Sequence, residues 1–251
     1  MCAELLEAKQ KRSFQTLLSG LKLAHYQNET CRFLTLTTSN ECLNQNTYNR
    51  KGSLNDDFRI LKARIKRMTP AKLVKDGYVE VGDLKYYYPN KSLLSNLDFE
   101  YFKVETNEAN GVLHIVYKGD YLPYDYLVDN WQNIHLSWDV NIKQIKNTSK
   151  SRFNSSLYIV SQYVGSQGSS YVRSSQSWSW VFRGFKRAWD TMKSTLKSNL
   201  YYNYVQNKFY RNHREVDFKK ELITLWDKYL YNLARIKLQS SCHQAILNLP
   251  W

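Results

Sequence analysis

Asp98–Gly119 reads DFEYFKVETNEANGVLHIVYKG. Two runs rich in aromatic and β-branched residues, Phe99–Val104 and Val112–Tyr117, flank a polar turn that ends in Asn110-Gly111. Strand formers either side of a few turn residues, with glycine at the tight position, predict a β-hairpin. Inside it sit Glu105 and, within an apolar run, His114. A histidine in such a run is most simply a satisfied core residue; paired with a glutamate on the facing strand, it is also a metal-site candidate.

Upstream, Arg32–Thr38 (RFLTLTT) alternates apolar and threonine residues and predicts a half-buried strand. Ser53 with Asp56 three residues on resembles a helix cap, and Phe58, Ile60, Leu61, Ile65 and Met68 supply an apolar stripe. The other face of that helix carries Arg59, Lys62, Arg64, Lys66 and Arg67, either solvated or contacting phosphate. Thr69-Pro70 opens a further helical turn, and Tyr78–Tyr88 suggests an extra hairpin around Gly82-Asp83. Downstream, a helix is expected over Tyr124–His135 and a strand over Leu136–Ile145. Lys146–Asn154 reads as a basic linker, and Ser155–Ser166 (SSLYIVSQYVGS) as a short helix ending at glycine, with a strand as the alternative that its β-branched residues leave open. The order β–α–β–β–α–β–α predicts an α+β fold: a ferredoxin-like, RRM-like antiparallel sheet with helices on one face.

Beyond Ser169 the character changes. A Ser-rich stretch with Arg173 leads into WSWVFRGFKRAW (178–189), where Trp178, Trp180, Phe182 and Phe185 interleave with Arg183, Lys186 and Arg187. Helical patterns follow over Trp189–Tyr204 and Glu215–Lys237. The expected organisation is an amphipathic helix at 1–28, the α+β domain at 29–168, and a basic-aromatic segment with C-terminal helices at 169–251.

The chain has 36 Lys+Arg against 22 Asp+Glu, a formal charge of +14, with 15% aromatic residues. Such an excess favours a polyanionic partner, and the aromatic content favours single strands, whose bases stack on rings. Cys2, Cys31, Cys42 and Cys242 form no CxxC pair, so free thiols and a cytoplasmic location are expected. No signal peptide is readable, and no apolar run approaches the ~20 residues that span a bilayer, so no membrane association is expected. Neither a nucleophile elbow nor a glycine-rich phosphate loop is present. What remains is a carboxylate and an imidazole on paired strands with tyrosines on a later helix. These suit metal-assisted phosphodiester chemistry with a tyrosine nucleophile.

The order FLTLTTS, VETNEANGVLHIVYKG, YIVSQYVGSQ resembles the three motifs of the HUH rolling-circle replication initiators, the Rep proteins of archaeal and bacterial plasmids and related viruses. The resemblance covers roughly Arg32 to Trp189. His114 matches one histidine of the family's His-x-His pair, and valine, Val112 or Val116, stands at the other position. The resemblance implies the HUH palm as the fold and His114 with Glu105 as ligands of Mn²⁺ or Mg²⁺. It implies Tyr163 as nucleophile with Tyr158 as the alternative, and Arg32, Arg59, Lys62, Arg173, Arg183, Trp178 and Trp180 as DNA contacts. The implied activity is nicking and rejoining of a single-stranded or hairpin origin, with a host polymerase and helicase as partners. A DNA-binding replication factor on the same fold, weak or inactive in catalysis, is the alternative.

Overall fold

The computed structural model describes residues 2–38, 54–106, 111–165, 173–177, 179–204, 206–212 and 214–247; at 2–9, 162–165, 173, 201 and 237–247 it describes the backbone alone. The alternating stretch forms strand β1 (Cys31–Thr37), which buries Leu34 and Leu36 completely on one face. The hairpin forms β2 (Phe99–Thr106) and β3 (Val112–Gly119), antiparallel, with Thr106 opposite Val112 and Phe99 opposite Gly119. Gly119 closes its base at φ +119°, and a Cβ there would lie 2.3 Å from the Asp98 carbonyl oxygen, so only glycine fits. The Asp120 carboxylate and amide tie the same corner to the Asp98 backbone at 2.6 and 2.9 Å.

β1 lies against β3 on its other side, β4 (Val140–Gln144) lies outside β1, and β5 (Arg173–Gln176) pairs with β2. The result is a five-stranded antiparallel sheet in the order β4-β1-β3-β2-β5, and the fold is α+β. Two crossover helices, α2 (Leu54–Ile65) between β1 and β2 and α5 (Tyr124–His135) between β3 and β4, cover one face. Their core includes Leu34, Leu36, Phe58, Leu113, Ile115 and Trp131.

The other face is also covered, which corrects the expectation of helices on one face only. Phe102, Val104 and Val116 pack there against Leu17 and Leu21 of α1 (Cys2–Tyr26), Ile159 and Val160 of α6 (Ser149–Gly165), and Trp180. The amino-terminal helix is thus part of the core rather than a separate unit: Leu17 and Leu21 are 0% and 1% exposed. An apolar stripe on a helix finds a partner, and here the partner is the second face of the sheet.

Other elements differ from expectation. Tyr78–Tyr88 forms a 3₁₀ turn at Val81–Asp83 and then the short helix α4 (Leu84–Tyr87), following α3 (Pro70–Lys75); it is not a hairpin. The stretch read as a basic linker begins α6, whose first turn is capped by the Thr148 hydroxyl accepting from the Ser151 amide at 3.1 Å. The sheet runs past the boundary expected near residue 168, because β5 joins its edge. Beyond it, α7 (Phe185–Ser198) ends earlier than expected. A small sheet of β6 (Tyr201–Asn203), β7 (Lys208–Arg211) and β8 (Arg214–Val216) follows. The last helix, α8 (Phe218–Leu247), packs on α1: Trp226 Nε1 donates to Ser19 Oγ at 3.1 Å, and Lys22 pairs with Asp227 at 2.5 Å. Among the described residues, no helix is long and apolar enough to cross a membrane.

Candidate functional site

Side chains alternate along β3: Leu113, Ile115 and Tyr117 join the core under α2 and α5, so His114 and Val116 point to the face under α1 and α6. His114 is 3% exposed. Its ring meets Tyr158 of α6 edge-on, with centroids 5.7 Å apart and planes at 89°. Phe33 of β1 completes a ring triangle, 6.0 Å from His114 and 5.7 Å from Tyr158. The placement of Tyr158 follows from its helix. Ser156 and Ile159, fully buried, turn α6 inward, which leaves Tyr158 on a flank against β1, 48% exposed. The phenol is open to solvent, while the imidazole beneath it is closed off by the rings of Phe33 and Tyr158.

Tyr163 stands on the same helix, one turn after Ile159; its side chain lies outside the described residues. Five residues of α-helix rotate the chain by about 140° beyond a full turn, so positions 158 and 163 occupy different faces of α6.

Glu105 is not part of this cluster. The hairpin register places Val104, not Glu105, opposite His114, and Glu105 opposite Leu113 on the other face. There the Asn55 amide of α2 donates to the Glu105 carboxylate and its carbonyl accepts from Lys103, whose ammonium also sits 5.3 Å over the Phe58 ring. The expected Glu105–His114 metal pair is therefore corrected: a sheet separates the two side chains, and they cannot share an ion. Among the described residues, no group of three or more His, Cys, Asp or Glu side chains could hold a metal. The expected Mn²⁺ or Mg²⁺ does not fit this pair.

The expected DNA contacts scatter. Arg32, on the α2/α5 face, donates to the Gly119 carbonyl at 3.5 Å and lies 5.4 Å over the Tyr121 ring. Lys62 lies 5.7 Å over Tyr101 on that face, and exposed Arg59 pairs with Asp56 at 2.8 Å. These three stand across the sheet from His114 and Tyr158. Arg173 has its backbone opposite Glu105 on β5, with its side chain outside the described residues, as is the whole of Trp178. Trp180 is corrected from base platform to core: it is 0% exposed, and its Nε1 donates to the Thr16 carbonyl of α1 at 3.3 Å. Arg183 is exposed and lines a groove described below.

Sequence reading also missed a buried polar chain. His135, at the end of α5, is 0% exposed; its Nδ1 is 2.7 Å from the Asp57 carboxylate of α2 and its Nε2 is 2.8 Å from the Thr38 hydroxyl. A carboxylate only accepts, so Nδ1 carries a proton and donates to Asp57. The ring stacks on Trp131 at 4.6 Å. Hydroxyl, imidazole and carboxylate stand in the order of a hydrolase triad, yet Thr38 is only 5% exposed, so substrate has no approach. The chain fastens the end of β1 to α2 and α5. Replacing His135 with leucine leaves a partly buried carboxylate and a buried hydroxyl each with one partner fewer, and is expected to cost about 2–4 kcal/mol in a urea melt. Cys31, free and buried, has its thiol pushed up to about 12 by burial and then by the Glu29 charge, which makes it inert.

No protein-family model, no curated protein and no solved structure matches the chain.

Proposed function

We propose that the protein is a rolling-circle-type replication initiator that binds single-stranded origin DNA and nicks it with a tyrosine of α6. The observation that carries this reading is the His114–Tyr158 contact: an imidazole in the middle of a central strand, under a helix that presents a half-exposed phenol. The strand order β4-β1-β3-β2, with both crossover helices on the opposite face, is that of the ferredoxin-like palm of the HUH initiators it resembles. The net charge of +14 suits a polyanionic substrate.

In the proposed step the tyrosyl oxygen attacks the phosphorus and loses its proton. The bond from phosphorus to the 3′-oxygen breaks, and that oxygen takes up a proton. A 5′-phosphotyrosyl adduct and a free 3′-OH result, the latter for a host polymerase working with a helicase. The phosphotyrosyl ester conserves the bond for rejoining. His114 supports the ring of Tyr158 by edge contact, which holds the phenol at the surface of the sheet. No step is routed through a metal, since Glu105 faces away.

A second reading has its own support. With Glu105 held by Asn55 on the far face, the chain also suits a non-catalytic DNA-binding factor. Incubation with single-stranded DNA of the native origin in Mn²⁺, followed by denaturing electrophoresis, separates the two. The initiator yields a protein–DNA adduct that survives denaturant. The binding factor yields none, while its salt-dependent binding persists in chelator.

A further inference from the structure

A groove of about 630 Å³ lies at the β5 edge of the sheet, between α1, the turn before α7, and α7 itself. Its walls carry Lys11 and Arg12 from α1 and Arg183, Lys186 and Lys193 from the second side, against one carboxylate among the described residues, Asp190. Arg12, Arg183, Lys186 and Lys193 are all exposed. The floor is apolar and aromatic: Val181 is buried, and Phe182, Phe185 and Trp189 are half-buried. Cations on both walls of a concave channel raise the local potential far above that of the same charges on a convex surface.

We propose that this groove is a second binding site, which takes the phosphate backbone of a single-stranded nucleic acid. Two features choose this ligand over an anionic bilayer. The charges face one another across a concavity, which a chain enters and a planar headgroup surface does not. Rings line the floor beneath them, as suits bases rather than headgroups. The strand that borders the groove, β5, is paired through β2 to the strand that holds His114, and α1 covers the same face. A strand held in the groove therefore lies at the edge of the sheet whose central strand carries His114. The inference deepens the initiator reading by supplying its substrate track, but its physical basis is the charge in the groove and not the chemistry at α6.

The test measures binding of a short oligothymidylate, which contains no origin, across a salt series. One variant carries Arg183→Glu, Lys186→Glu and Lys193→Glu. A control of equal charge change carries Lys72→Glu, Lys75→Glu and Lys85→Glu, exposed residues on α3 and α4, which pack on the opposite face. A neutral version, Arg183→Gln with Lys186→Gln and Lys193→Gln, guards against a folding defect in the first. Each phosphate contact contributes about 0.7 to the slope of log affinity against log salt for single strands. The groove variants are expected to flatten that slope by about 2 and to weaken binding at least tenfold at low salt, with the control near wild type. Equal losses in groove and control variants would mean a net-charge effect and overturn the proposal. So would unchanged binding by both groove variants, or groove-dependent binding to vesicles of anionic phospholipid without binding to oligothymidylate. Groove-dependent binding with no adduct on origin DNA would remove the nicking reading and leave the groove standing.

Discussion

Trp180→Ala is expected to lower the stability of the protein by about 3–5 kcal/mol, the usual cost of emptying a buried aromatic site. For a chain of this length that is a fall in Tm on the order of 10 °C, read by circular dichroism. The indole is fully buried beside Phe102, with centroids 6.5 Å apart, and lies against α1 where Gly20 leaves room. A Cβ at Gly20 would stand 2.3 Å from Trp180 Nε1. That contact reverses an ordinary rule. Alanine for glycine inside a helix stabilises by about 1 kcal/mol, yet Gly20→Ala is expected to destabilise, since indole and helix must move apart. In the Trp180→Ala background the clash is gone, and the same Gly20→Ala change is expected to stabilise. A sign change across this double-mutant cycle is a signature that no general weakening of the fold produces. Gly20→Ala stabilising the wild-type protein would refute the packing.

Trp180 also shows where the sequence stops being informative. WSWVFRGFKRAW mixes rings and cations at spacings that suit a DNA surface and a helix core alike. What decides is the glycine on α1, 160 positions away in the chain, and nothing local records it. The first four strands of the sheet were legible for the opposite reason. Alternation in β1 and the glycine turn of the hairpin are local signals, and the order β–α–β–β–α–β restricts the sheet to few topologies. Register was not legible. One residue of slip moves every side chain to the other face, and the pairing of Val104, not Glu105, with His114 is what separates the expected metal pair. The polar RSSQ of β5 has no strand pattern; it is a strand because β2 offered a free edge. The Thr38–His135–Asp57 chain joins residues 97 and 78 positions apart, each unremarkable in its own segment. Of the candidate site, His114 and the tyrosine-bearing helix were readable, and their face-to-face placement follows once the β3 parity is known.

That placement also ranks the tyrosines. Motif order favours Tyr163, but the ring against His114 is that of Tyr158, half-exposed and in edge contact with Phe33. Tyr158→Phe is expected to abolish the denaturant-resistant adduct on origin DNA, and Tyr163→Phe to retain it. The substitution is well suited to the question. Phenylalanine keeps the ring and its contacts with Phe33 and His114 and removes only the oxygen, so stability is expected to change by less than about 0.5 kcal/mol. Binding to oligothymidylate is expected to be unaltered, because it rests on cations elsewhere. Loss of adduct with fold and binding intact assigns the nucleophile to position 158. The reverse pattern, with Tyr163→Phe silent in adduct formation and Tyr158→Phe active, moves the attack to position 163. The imidazole contact at 158 is then a packing contact.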